Sequence, residues 1–144
     1  MRGKSGLRPP SGQEPPTRLC IGGDGETLDA YPLAEEISRR YHVEFPDEQK
    51  RYGDAGRAWC VHDNLYLLSW GAESVNGYDD MQREVAWLAG VLESRGFPLQ
   101  RLARDLDIGA DVVRELVQGV NGEQLSTIFE HAAAFVRSRG TFLD

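Results

Sequence analysis

From Leu28 to Arg139 apolar residues recur at intervals of three and four, and no stretch alternates polar with apolar as a half-buried strand would. That periodicity restricts the chain to helices packed on helices. Pro32 falls in a first turn, and behind it Leu33, Ile37, Tyr41 and Phe45 form one stripe, closed by Pro46. A short helical piece over Asp47 to Tyr52 leads to Gly53. The next helix, Asp54 to Val75, is predicted to stop at Asn76-Gly77 with a left-handed C-cap. A third covers Asp79 to Arg95, with Met81, Val85, Leu88 and Leu92 inward and Gly96 beyond its end. Pro98 opens a fourth, with Leu102, Leu106 and Val113 on one stripe and Leu99 and Leu116 beside it. Asn121-Gly122 is read as its break, and a last helix runs from Glu123 to Arg139 through Leu125, Ile128, Phe129, Ala132 and Val136. The expected class is all-α, with six to seven helices.

The first 26 residues differ. They contain four of the seven prolines and six of the sixteen glycines, with almost no apolar periodicity. Such a segment buries too little apolar surface to offset its ordering entropy, so residues 1–26 are expected to be a disordered tail and 27–144 the folded domain. The tail carries 4 basic and 3 acidic residues and the remainder 12 and 20, so the folded part is the acidic part. Net charge −7 argues against duplex DNA, whose binding depends on neutralising phosphates. No apolar run is long enough to span a bilayer, and no apolar stretch follows Arg2 and Lys4 as in a signal peptide. The expectation is a cytoplasmic chain that engages neither membrane nor nucleic acid. Cys20 and Cys60 exclude a multi-disulfide scaffold.

One helix departs from ordinary core patterning. In Gly56-Arg57-Ala58-Trp59-Cys60-Val61-His62-Asp63 and the residues after it, Cys60, Asp63, Leu67 and Trp70 share a face, flanked by Trp59 and Tyr66. A carboxylate in a stripe of thiol, aliphatic and indole groups must reach water, pair with an arginine, or accept hydrogen bonds from a ligand in an aromatic-walled pocket. Cys60, one turn earlier, is either inert packing or a covalent contact. His62 is expected to point about 100° away from Asp63 around the helix and not to pair with it.

The stretch Tyr41–Asp80 resembles the phycobiliprotein branch of the globin superfamily. Phe45-Pro46 closes a helix of suitable length, and Gly56 to Asp63 is similar to that family's Gly-Lys-Ala-x-Cys-x-Arg-Asp segment. Tyr66-Leu67-Leu68 follows at the family's aromatic-aliphatic run, and Gly77 with Asp79-Asp80 precedes a long amphipathic helix. In outline the likeness covers residues 30–115. It implies a globin-like fold and an open-chain tetrapyrrole (bilin) such as phycocyanobilin, phycoerythrobilin or biliverdin. By the same resemblance Cys60 forms a thioether with the A-ring ethylidene, Asp63 accepts from the central pyrrole nitrogens, and Arg57 and His62 face the propionates. Trp59, Tyr66 and Trp70 would stiffen the chromophore. Antenna phycobiliproteins carry an extra N-terminal helical pair where this chain has its Pro/Gly-rich segment. The likeness is therefore to stand-alone bilin-binding globins, with bilin-synthesising enzymes or a lyase as implied partners.

Three other functions compete. A heme globin needs an axial imidazole after the Cys60 helix, yet Asp79–Arg95 has no histidine; the three are His42, His62 and His131. For a ligand-free regulatory or dimerisation module the stripe of Met81, Val85, Leu88 and Leu92 serves either as core, the favoured reading, or as a homodimer face. An enzyme is disfavoured: no nucleophile triad or metal spacing is visible, and Gly22-Gly23-Asp24-Gly25 is expected to lack the strand that a phosphate loop requires.

Overall fold

A computed structural model describes residues 7–12, 14–22 and 27–143. The described residues form five helices, fewer than the six to seven expected, and one two-stranded antiparallel sheet; the chain is all-α as the periodicity requires. In order these are β1 (Arg18–Cys20), β2 (Thr27–Asp29), α1 (Tyr31–Glu44), α2 (Asp47–Val75), α3 (Met81–Ser94), α4 (Leu99–Leu116) and α5 (Gly119–Ser138). The short piece ahead of Gly53 is the first part of α2, which kinks at that glycine (φ 65°, ψ −156°), a conformation costly for any residue with a Cβ.

The stripes behave as cores. Leu33, Ile37 and Tyr41 of α1, Met81, Val85 and Leu88 of α3, and Leu102, Leu106 and Val113 of α4 are all buried. Helices α4 and α5 form the principal pair, joined also by a hydrogen bond from Ser126 Oγ to the Ala110 carbonyl at 2.9 Å. Phe129 of α5, fully buried, wedges against Gly109 of α4 and Gly71 of α2.

Two helix ends follow the predicted chemistry. Gly77 (φ 84°) ends α2 with Tyr78 N–H donating to Glu73 O and Gly77 N–H to Ser74 O. Gly96 (φ 81°) ends α3 in the same way, with Phe97 N–H donating to Leu92 O and Gly96 N–H to Glu93 O. Both are Schellman closures. Asp80 caps α3, accepting from the Gln82 and Arg83 amides.

The break between the last two helices is not at Asn121-Gly122. It falls at Val117-Gln118, and Asn121 and Gly122 lie in the first turn of α5. The dipeptide serves packing instead of termination. A Cβ on Gly122 would stand 2.0 Å from the Val117 carbonyl oxygen, and Asn121 Nδ2 donates to Ile21 O at 3.2 Å.

The expected tail over 1–26 includes ordered chain. Residues 1–6, 13 and 23–26 of it lie outside the described residues, but Arg18–Cys20 pairs with Thr27–Asp29, and Leu19 and Ile21 belong to the core. A strand does precede Gly22, contrary to expectation. Its partner is a second strand, so the strand-to-helix context of a phosphate loop does not arise.

Candidate functional site

The spacing Trp59, His62, Tyr66, Trp70 along α2 stacks four rings on one side of the helix. Successive centroids lie 4.9, 5.2 and 5.7 Å apart, the first two pairs edge-on and the last tilted by 31°. This ladder forms one wall of a cavity of about 750 Å³ between α2, the second half of α3 and the start of α4. That volume suits a drug-sized organic ligand, for which sites of about 300–1,000 Å³ are usual.

The α3 wall is built by the Gly96 closure. Folding Phe97 back over Leu92 brings both to the cavity, beside Leu88 and Val91. Trp87 also lines it and is 64% exposed, marking its outer edge. Leu7 reaches the cavity from the N-terminal segment, and the Trp59 indole N–H donates to the Arg8 carbonyl at 2.6 Å.

Six of the seven residues singled out from the sequence line this one space: Trp59, Cys60, His62, Asp63, Tyr66 and Trp70. Arg57 does not. It is exposed and lies in another groove with Pro9, Pro10 and Pro15, because its position on α2 is turned away from the ladder. The basic residues that line the cavity are Arg95 and Arg101, besides His62.

Asp63 is neither buried nor free of His62. Its side chain is 29% exposed, and Oδ1 lies 3.1 Å from His62 Nδ1. The expected divergence of neighbours fails because the His62 ring is held edge-on between Trp59 and Tyr66, from where Nδ1 reaches the adjacent carboxylate.

The polar groups around Cys60 include Ser38, Tyr41, Glu48, Asn64 and Asp105. Burial, with the nearby Asp105 carboxyl, pushes the Cys60 thiol well above the usual range. Asn64 donates to the Cys60 carbonyl (2.9 Å) and to Asp105 Oδ1 (3.1 Å), and stands 3.5 Å from the Cys60 sulfur. Asp105 is buried and its carboxyl is pushed up to about 7, chiefly by desolvation and against the Asn64 hydrogen bond. Tyr41 donates its hydroxyl to Glu48, which also receives Arg101 at 2.9 Å; burial and that carboxylate drive the phenol well above its ordinary range. Arg101 further binds Asp47 at 2.9 Å and lies over the Phe45 ring, 4.3 Å from its centroid.

Asn64, Asp105, Tyr41 and Glu48 were not singled out from the sequence. For Asp105 a signal was present: Leu102, Asp105, Leu106 and Gly109 lie on one side of α4, an acid inside an apolar stripe as Asp63 is. Asn64 follows Cys60 by four residues, one turn along the same helix. Tyr41 and Glu48 sit on opposite sides of the Pro46 turn, and only the fold brings them together.

No protein-family model matches the chain, and neither a curated protein nor a solved structure matches it. The phycobiliprotein resemblance therefore rests on the motif residues alone. Among the described residues no cluster of three His, Cys, Asp or Glu side chains could hold a metal ion, and no helix is long and apolar enough to cross a membrane.

Proposed function

We propose that the chain is a non-enzymatic bilin-binding protein, in which the cavity holds an open-chain tetrapyrrole as a carrier, store or light sensor. The observation that carries this reading is the convergence of Cys60, Asp63 and the ring ladder on one cavity of about 750 Å³. A bilin is a long conjugated ribbon with N–H donors along one concave edge and two propionates on the other side. The ladder offers it an extended aromatic surface, Asp63 offers an acceptor to the N–H edge, and Arg95 offers positive charge to the propionates. Arg57, which the resemblance would assign to the propionates, has no place in this arrangement because it lies in the other groove.

Covalent attachment falls to Cys60, the one thiol among the lining residues. Addition of S–H across an A-ring ethylidene forms the C–S bond and places the thiol proton on the pigment. A thiol held above its ordinary pKa supplies little thiolate, so this step is slow unless a lyase assists it.

The test is absorption spectroscopy of the purified protein mixed in turn with biliverdin, phycocyanobilin and phycoerythrobilin. A narrowed, intensified and shifted band is expected with one of them; spectra that sum protein and free pigment would overturn the reading in favour of a colourless helical interaction module. In the loaded protein Asp63→Asn is expected to blue-shift or broaden the visible band, and an unchanged spectrum would remove Asp63 from the site. Cys60→Ala is expected to release all pigment on acid denaturation. Pigment that stays on that variant would assign attachment elsewhere, with Cys20 the remaining thiol.

A further inference from the structure

The cavity contains a carboxyl group that nothing inside the protein neutralises. Asp105 lines the cavity although only 7% exposed. One of its oxygens, Oδ1, accepts from Asn64; the other has no hydrogen-bond partner among the described residues. Asn64 has its own unmet need, since its Oδ1 is buried without a partner. Neither is met by the cavity-lining cation of α4. Arg101, one turn before Asp105 on α4, is engaged by Asp47 and Glu48.

The other ionisable groups around Asp105 make matters worse for a negative charge. Asp63, Glu48 and Cys60 approach from α2, and Tyr41 approaches from α1 with its hydroxyl already given to Glu48. Arg95 lines the cavity from the end of α3, and α5 contributes no lining residue. An apolar, aromatic-walled space with one carboxylate at Asp63 and a second, uncompensated carboxyl at Asp105 is built for a ligand that brings positive charge or basic nitrogen.

Resting on the bilin reading above, we propose that Asp105, steadied by Asn64, is a second anchor of the cavity: a buried carboxylic acid that hands its proton to a basic imine-type nitrogen of a conjugated ligand and then holds the resulting cation. The proton leaves an Asp105 carboxyl oxygen and bonds to the lone pair of that nitrogen. The carboxylate and the protonated ligand remain as an ion pair, and no proton reaches solvent. The pair forms where Asn64 Nδ2 already supports one carboxylate oxygen, while Asn64 Oδ1 is free to accept a ligand N–H. Near neutrality the free protein holds the proton ready, because burial has raised this carboxyl to about 7. The class of ligand is thereby narrowed from any aromatic molecule of suitable volume to one with a protonatable nitrogen in its conjugated system.

The experiment titrates biliverdin, phycocyanobilin and phycoerythrobilin in turn into the wild type and Asp105→Asn at pH 7 and records visible absorption. The wild type is expected to give the red-shifted, intensified band of protonated pigment. Asp105→Asn is expected to bind about tenfold to a hundredfold more weakly, with its band at the position of neutral pigment. A variant that matches the wild type in band position and within twofold in affinity would overturn the proposal while leaving the bilin reading intact. A wild type that leaves the spectra of all three pigments unchanged would overturn both. Should circular dichroism show Asp105→Asn unfolded, difference infrared spectroscopy of the wild type decides: loading must remove the carbonyl stretch of one protonated carboxylic acid, and its persistence would overturn the proposal.

Discussion

Asp105 makes the protein's stability depend on pH in a sense opposite to that of most carboxylates. Several acids of this chain are stabilised as anions; paired with Arg39 and Arg40, Glu36 is lowered to about 2, and Glu44, Asp47 and Glu115 are lowered by neighbouring arginines. Asp105 is raised, from 3.8 to about 7. Between those two values the folded state binds a proton that the unfolded chain has released, so stability falls as pH rises through that window. From pH 5 to pH 8 the loss is on the order of 2 kcal/mol. Urea midpoints measured across that range should fall in the ligand-free wild type, and the fall should be smaller in Asp105→Asn by that amount. Parallel curves for the two proteins would mean that Asp105 is ionised in the fold. This residue also marks how far the sequence reached at the level of single side chains. Cys60, Asp63 and the aromatic ladder are legible because one helical repeat places them together. Asp105 meets them only across the α2–α4 interface, and no spacing within one helix encodes that meeting.

Among the elements, the glycines at helix crossings decide how closely α2, α4 and α5 approach. Phe129 stands between Gly71 and Gly109. A Cβ at Gly109 would lie 2.6 Å from two of its ring carbons, and one at Gly71 would lie 2.7 Å from Leu125 Cδ1 and 2.9 Å from the ring. Alanine gains about 1 kcal/mol of helix propensity over glycine, whereas overpacking a tight core costs about 1–3 kcal/mol. Here the steric cost should win, because the ring is fully buried and has a glycine seat on each side. Gly109→Ala is therefore expected to lower stability by about 1–2 kcal/mol. Adding Phe129→Leu should recover part of that loss, so the double variant should be less destabilised than the sum of the singles by chemical denaturation. A neutral or stabilising Gly109→Ala would show that the ring moves aside easily. Five helices form among the described residues where six to seven were expected, because the short piece before Gly53 continues into α2; the order of the helices was readable from periodicity because each has a buried stripe. The α4–α5 boundary was not, since Asn121-Gly122 reads locally as a breaker while its side chain and bare Cα serve contacts with Ile21 and Val117.

For the molecule as a whole, the unexpected structural part is the N-terminal hairpin. Three-residue strands are too short to show a period, and a Pro/Gly-rich composition around them reads as tail. Yet Leu19 and Ile21 are buried to 1% and 3% exposure, and the hairpin closes where Ala30 N–H donates to Thr17 O at 2.8 Å. Two asparagines clasp it from distant helices: Asn76, at the end of α2, donates to the Cys20 carbonyl and accepts from Gly22 N–H at 3.0 Å, while Asn121 of α5 donates to Ile21 O. The strand thus bridges the α2 end to the α5 start, and its removal would strip two large apolar side chains from the core and leave both amides unpaired. Full burial of each such side chain contributes about 1.5–3 kcal/mol. A chain beginning at residue 27 should lose on the order of 4 kcal/mol, which for a domain of this size lowers Tm by about 10 °C. A chain beginning at residue 17 keeps the hairpin and both asparagine contacts, and its Tm should stay within about 4 °C of the full chain. Differential scanning calorimetry of the three lengths separates the outcomes. Equal Tm values for all three would make the hairpin a passive appendage; an equal fall in both truncated chains would move the stabilising contacts to residues 7–16, where Arg8 meets Trp59 and Pro15 is buried.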